Sequence, residues 1–136
     1  MITRSGIFNT LGFWLYCDLC PRLGNKKKKI NLETSHGIFE VGAKSKRLHC
    51  FKKSPKCAYC PRVGVIWMLQ SQTDKNWHLN LYAIDNNDTL VLMTKDHIIP
   101  LAKGGTDALN NLITACEQCN NNKGQSLLIT PPNLLM

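Results

Sequence analysis

Residues 96–123 read DHIIPLAKGGTDALNNLITACEQCNNNK and concentrate most of the chain's distinctive chemistry. Within them lie Asp96-His97-Ile98-Ile99-Pro100, the Gly104-Gly105 pair, Asn111-Leu112 and Cys116-x2-Cys119-Asn120-x2-Lys123. A second C-x2-C pair, Cys57 and Cys60, lies upstream. Two such pairs are what a tetrahedral four-thiolate zinc site needs, because each short loop lets two sulfurs converge on one cation. The Asp-His dipeptide and the Asn residues around it suit a hard cation held beside a general base.

Outward from this stretch the pattern upstream is β-like. Val65-Ile66-Trp67-Met68-Leu69 is an apolar run, Asp74-Lys75-Asn76 breaks it, and Trp77 to Ile84 places Leu79, Leu81 and Ala83 on one face. Asp85-Asn86-Asn87-Asp88 is a turn signal, after which Leu90 to Met93 resumes an apolar strand. These segments predict a small antiparallel sheet that delivers Asp96 and His97 at or just after a strand end. The Gly pair lets residues 100–107 turn tightly. Asn111 to Ala115 reads as the returning strand, and Glu117 to Lys123 as a short helix with Gly124 as its C-cap. Leu127 to Met136 is an apolar tail in which Pro131-Pro132 stop any regular element. Trp14, Trp67, Trp77 and His78 read as core or sheet surface, with base stacking as the alternative.

The 136 residues carry a formal net charge of +8. Residues 1–62 hold 13 Lys/Arg against 3 Asp/Glu, and residues 63–136 hold 4 against 6. The basic surface therefore belongs to the first half, while the Asp-His motif is locally acidic. This division suits a protein that grips phosphates with one part and binds a metal with the other. Residues 1–25 are expected to form a short strand or helix leading to Cys17. Lys26, Lys27, Lys28 and Lys29 form a basic run, and Lys44, Lys46, Arg47, Lys52 and Lys53 follow. One reading is a solvated, mobile loop; the other is a contact surface for a nucleic-acid backbone.

Seven cysteines are an odd number for a paired disulfide framework, and C-x2-C spacing favours metal ligation in a reducing cytoplasm. The apolar patch from Leu11 to Tyr16 lacks a small-residue cleavage site after it, and no segment approaches the roughly 18 apolar residues of a membrane span. The expectation is a cytoplasmic protein with no membrane partner. Cys17-x2-Cys20-Pro21-Arg22-Leu23-Gly24 echoes Cys57-x2-Cys60-Pro61-Arg62-Val63-Gly64, which admits a duplicated knuckle. Cys17 and Cys20 with two of His36, His49 and Cys50 would make a second zinc site. Ordinary thiols on a basic arm are the alternative.

Imidazole titrates near neutral pH, which makes His97 the candidate general base. Asp96 is a suitable ligand for Mg2+ or Mn2+. In extended backbone the two side chains point to opposite sides, one toward a metal and the other toward a water. Asn120 follows Cys119 directly, and its amide oxygen would complete the protein side of the metal site. Asn111 would either orient the imidazole or brace the loop between the two strands.

In order and spacing, Asp-His-x2-Pro, Gly-Gly, Asn-Leu and C-x2-C-Asn-x2-Lys resemble the HNH endonuclease family. The resemblance spans Cys57–Gly124; Trp77 through Pro100 also resembles HNH proteins of tailed-phage genomes. It implies an α+β fold: a small ββα-metal (HNH) nuclease core with an antiparallel β extension, stapled by structural zinc. The family's His, Asn and final His or Asn fall on His97, Asn111 and Asn120, with Asp96 as the paired ligand. This is an HNN-type variant, which suggests an oxygen-preferring working metal. Asn121 or Asn122 would replace Asn120 if the helix phase differed. Lys123 resembles the family's basic residue in that helix and would contact phosphate. Zinc on Cys57, Cys60, Cys116 and Cys119 would be a staple, closed to substrate.

The domain reading is a basic N-terminal region over 1–56, an HNH core over 57–124 and a tail over 125–136. The expected activity is metal-dependent hydrolysis of DNA, double-stranded by preference, leaving a 5′-phosphate and a 3′-hydroxyl. A monomer would nick and a homodimer would cut both strands. The second function class is a non-catalytic, zinc-stabilised nucleic-acid-binding module; a third is a protein-interaction scaffold built on the knuckles.

Overall fold

Alternating and continuous apolar runs between Asn9 and Cys116 build one five-stranded antiparallel sheet. The computed structural model describes residues 8–123. In chain order these form β1 (Asn9–Leu15), α1 (Tyr16–Leu19), β2 (Lys29–Thr34), β3 (Gly37–Gly42), α2 (Lys46–Lys53), β4 (Ile66–Ser71), β5 (His78–Ile84), β6 (Leu90–His97), β7 (Leu112–Cys116) and α3 (Glu117–Lys123). The large sheet has the order β1-β4-β5-β6-β7, and β2 and β3 form a separate hairpin.

The strands expected upstream of Asp96 are present, and β6 runs further than its apolar start suggested. Leu90 to Leu92 pair with β5, whereas Met93 to His97 pair with β7, with Asp96 opposite Ile113 and His97 opposite Leu112. A single strand thus pairs with β5 at its start and with β7 at its end, where it is one arm of the hairpin that carries the Asp-His pair. The turn before it is held by the Asp85 carboxylate, which accepts from the backbone N–H of Asn87 at 2.9 Å and of Thr89 at 3.1 Å. Asp88 there takes the left-handed conformation that Asp tolerates in turns. Glu117–Lys123 is helical as expected and lies against β6 and β7. The Gly124 cap and the apolar tail fall outside the described residues.

Lys26, Lys27 and Lys28 lie in an irregular segment, but the basic stretch from Lys29 onward is built largely of regular elements. Ile30 and Leu32 alternate with charged or polar neighbours on β2, the period-2 signature of a half-buried strand. Ser45 caps α2 by accepting from the Leu48 N–H at 3.1 Å. That helix buries Leu48, Cys50 and Phe51 among Trp67, Leu69, Leu79, Leu81 and Met93. Each large apolar side chain so buried contributes about 1.5–3 kcal/mol. Charge density concealed the pattern, because lysines sit on the exposed faces of elements whose other faces are apolar.

Residues 8–25 supply both expected alternatives, a strand and then a helical turn. β1 pairs with β4, so the first half of the chain shares a sheet and a core with the Asp-His hairpin. Tyr16 stacks on Trp67 at 5.8 Å and donates its hydroxyl to the Phe51 carbonyl at 2.6 Å, joining α1, β4 and α2. Phe39 of β3 meets Trp77 edge-on at 5.9 Å, which docks the small hairpin. On entry to β4, Gly64 lies so close to Leu81 that an added Cβ would meet its Cδ2 at 2.4 Å.

Candidate functional site

The upstream knuckle is a tight turn, closed by the Cys57 N–H donating to the Arg62 carbonyl at 2.9 Å. It is brought to the downstream knuckle by β7: the Ala58 N–H donates to the Thr114 carbonyl at 3.0 Å, and the Cys116 N–H to Cys57 Sγ at 3.2 Å. The sulfurs of Cys57, Cys60, Cys116 and Cys119 consequently all lie within 4.8 Å of one another. Cys60 and Cys116 are 3.8 Å apart. A tetrahedron of ~2.3 Å Zn–S bonds has edges of ~3.8 Å, so the set needs only slight contraction to enclose an ion.

Nearby donors favour thiolates, while burial opposes them. Backbone N–H groups of Tyr59 and Cys119 point at Cys57 Sγ and Cys116 Sγ at 3.4 Å each, and Arg62 Nη1 lies 3.5 Å from Cys116 Sγ. Burial pushes the Cys57 and Cys119 thiols up, and the neighbouring sulfurs add to this. For Cys60 burial acts the same way, but the Arg62 N–H and the adjoining thiols bring it down overall. Four clustered sulfur anions would repel one another, and a dication removes that conflict. The cluster is suited to a structural metal.

At the end of β6 the two motif side chains diverge. Asp96 turns toward α3 and is buried: its Oδ2 accepts from the Tyr59 hydroxyl at 3.1 Å and from Lys123 Nζ at 3.0 Å. Burial and then the Asp96 charge push the Tyr59 phenol up, so it stays a neutral donor. His97 turns the other way and remains partly exposed, with Nε2 2.6 Å from Asp107 Oδ1. The His97 contact, with lesser help from Lys46 and Lys95, holds the Asp107 carboxyl below the usual carboxylate range. Lys46 Nζ donates to the backbone carbonyl of Asp107 at 2.8 Å.

Asn111 is buried and braces the loop between the strands. Its Oδ1 accepts from the Ile99 N–H at 2.9 Å, and its Nδ2 donates to the carbonyls of Ile99 at 3.0 Å and Thr106 at 2.7 Å. Of the two roles open to it in the sequence, the geometry gives loop bracing; the ring contact belongs to Asp107. Gly105 is obligatory here, since a Cβ would lie 1.8 Å from the Ile99 carbonyl oxygen.

Asn120 donates Nδ2 to Thr94 Oγ1 at 3.0 Å. Thr94 and Asp96 share a face of β6, and Asn120 and Lys123 are one helical turn apart, so the amide and the carboxylate address the same β6–α3 seam. Their oxygen chemistry fits a hard cation. Lys123 competes for it, because its ammonium already occupies Asp96 Oδ2 and the His97 carbonyl at 2.7 Å. Lys123 is the helix residue expected to contact phosphate. Its side chain is 1% exposed and crosses the Tyr59 ring, so it faces inward.

Lys26, Lys27 and Lys29 line a 650 Å3 groove with Arg22, and Lys28 is exposed beside them. Lys44, Lys52 and Lys53 are exposed; Lys52 Nζ donates to the Leu23 carbonyl at 2.6 Å. Arg47, expected to meet a backbone phosphate, instead lies over the Phe51 ring and donates to the Leu79 carbonyl and Asn80 Oδ1. Burial lowers its pKa, and its contacts join α2 to β5.

Cys17 and Cys20 sit on α1 and the helical turn after it, unlike the non-helical turn around Cys57. Among the described residues, no metal-capable cluster includes them. Cys50 is buried in α2, His49 is exposed on that helix, and His36 sits in the β2–β3 turn beside Ser35. Nothing in the residue pattern singles out Asp107, Tyr59 or Thr94, because each is identified by a contact across the chain rather than by spacing.

No helix among the described residues is long and apolar enough to cross a membrane. No curated protein and no solved structure matches the chain. Residues 84–126 match the family model described as HNH endonuclease, a stretch that starts in β5 and takes in the Asp-His pair, Asn111, the downstream knuckle and Asn120. Cys57 and Cys60 lie outside it. The hairpin and helix that carry this site thus lie within the stretch that matches the HNH endonuclease family model.

Proposed function

We propose that this chain is a divalent-metal-dependent endonuclease that hydrolyses DNA phosphodiester bonds, double-stranded DNA being the substrate. The observation that carries this reading is the divergence at the end of β6. Asp96 enters the seam with α3 while His97 stays accessible on the other side. That separation lets one residue serve a cation and the next serve a water.

In this reading His97 accepts a proton from water as the water oxygen bonds to phosphorus. The bond from phosphorus to the 3′ oxygen breaks, and that oxygen takes a proton from solvent. The products carry a 5′-phosphate and a 3′-hydroxyl. Asp96 and Asn120 would hold Mg2+ or Mn2+, which supplies positive charge to the phosphate and leaving oxygen. Zinc on the four cysteines would fix α3, and with it Asn120, against β6. The exposed lysines of residues 26–29 would bind backbone phosphates.

The ion pair between Asp96 and Lys123 favours a second reading, in which the fold binds nucleic acid without cutting it. An internal ammonium already neutralises the carboxylate that a catalytic cation would need. Supercoiled plasmid incubated with the protein and Mg2+ or Mn2+, with EDTA and His97→Ala as controls, separates the two. Relaxed or linear product that disappears in both controls supports the nuclease. DNA binding with intact plasmid supports the binding module.

A further inference from the structure

We propose that Asp107 is a positioning residue for His97, fixing the tautomer in which Nδ1 is free to take the proton of the attacking water. This inference rests on the nuclease reading and adds a residue to it.

The argument begins with the 2.6 Å contact between His97 Nε2 and Asp107 Oδ1. An ionised carboxylate can only accept, so the hydrogen in this bond must belong to the imidazole. A neutral imidazole carries one hydrogen. With Nε2 holding it, the lone pair lies on Nδ1.

The backbone that carries the carboxylate is held in place from two directions. Within the loop, Asn111 grips the Thr106 carbonyl at 2.7 Å, one residue before Asp107, and clamps Ile99 through both its amide atoms. Gly104 at φ +91° and the close packing of Gly105 on the Ile99 carbonyl leave the loop little room to shift. From outside the hairpin, Lys46 at the start of α2 donates to the Asp107 carbonyl at 2.8 Å. A residue of the basic first half thereby helps to set the geometry of the Asp-His hairpin.

Stability does not account for this arrangement. The Asp107 side chain is 58% exposed, and an exposed pair of this kind contributes little to folding. Its consequence lies in which ring nitrogen faces the reaction.

The test uses the full chain as wild type and as Asp107→Ala, Asp107→Asn and Asp107→Glu. Single-turnover plasmid cleavage and DNA affinity are measured at saturating Mg2+. Side-chain 15N NMR reads the tautomer of His97, whose signal is identified by its loss in His97→Ala. The expected result is cleavage slowed about 10–100-fold in the Ala and Asn variants. DNA affinity stays unchanged, the ring becomes a mixture of tautomers, and Asp107→Glu recovers part of both rate and tautomer. Unchanged cleavage in the Ala and Asn variants overturns the proposal, as does slowed cleavage with an unaltered tautomer. If the Ala variant does not fold, the Asn variant gives the same comparison with nearly unchanged shape. A wild-type chain that cleaves no DNA overturns the nuclease reading and this inference with it, and does so before any variant is compared.

Discussion

Asp96 Oδ2 and Lys123 Nζ lie 3.0 Å apart with both side chains almost wholly buried, joining the end of β6 to the last residue of α3. The Tyr59 hydroxyl completes the pair from the upstream knuckle. Three separate segments are therefore tied at one carboxylate, between the cysteine cluster and His97.

Removing the cation from that pair leaves a buried carboxylate unpaired. Lys123→Met is expected to lower the free energy of unfolding by about 3–5 kcal/mol, read from urea denaturation. Combining it with Asp96→Asn should restore much of the loss, because the uncompensated charge is gone. A fully additive double variant would show that the two side chains are not energetically linked.

Metal removal tests the cysteine cluster. Elemental analysis is expected to find one tightly held zinc per chain, and replacing any of Cys57, Cys60, Cys116 or Cys119 with Ser should lower both zinc content and melting temperature. Cys17→Ser and Cys20→Ser should leave that zinc in place. A metal-free wild-type protein with an unchanged melting curve would count against the staple.

Base and ligand differ in their response to metal. His97→Ala is expected to lower cleavage about 10²–10⁴-fold while folding, zinc content and DNA affinity persist. Asn120→Ala should weaken cleavage through the catalytic cation, so raised Mn2+ should restore part of it. Near-normal turnover by His97→Ala would remove His97 from the mechanism.

Salt dependence tests the proposed contact with DNA. Each phosphate contact adds about −0.9 to the slope of log affinity against log salt. Neutralising Lys26, Lys27, Lys28 and Lys29 together should flatten that slope by one to a few such units, roughly. Cleavage at saturating protein should remain. An unchanged slope would move the contact to Lys44, Lys46, Lys52 and Lys53.

The local elements nearest the motif were readable from residues alone. The hairpin strands, the turn at Asp85 and the helix from Glu117 each follow from periodicity, turn chemistry or spacing within a few residues. So did the pairing of the two cysteine knuckles, since four thiolates at this spacing have one economical arrangement. The β2–β3 hairpin and α2 were hidden in a lysine-rich stretch, because charge describes their exposed faces and burial is decided by what lies beneath. Asp107, Tyr59 and the inward turn of Lys123 were not legible at all. Spacing identifies which residues can share a metal or a helix face. Only the packed structure decides which carboxylate reaches a ring nitrogen, which lysine is buried and which asparagine braces a loop, because these depend on distances between segments far apart in sequence.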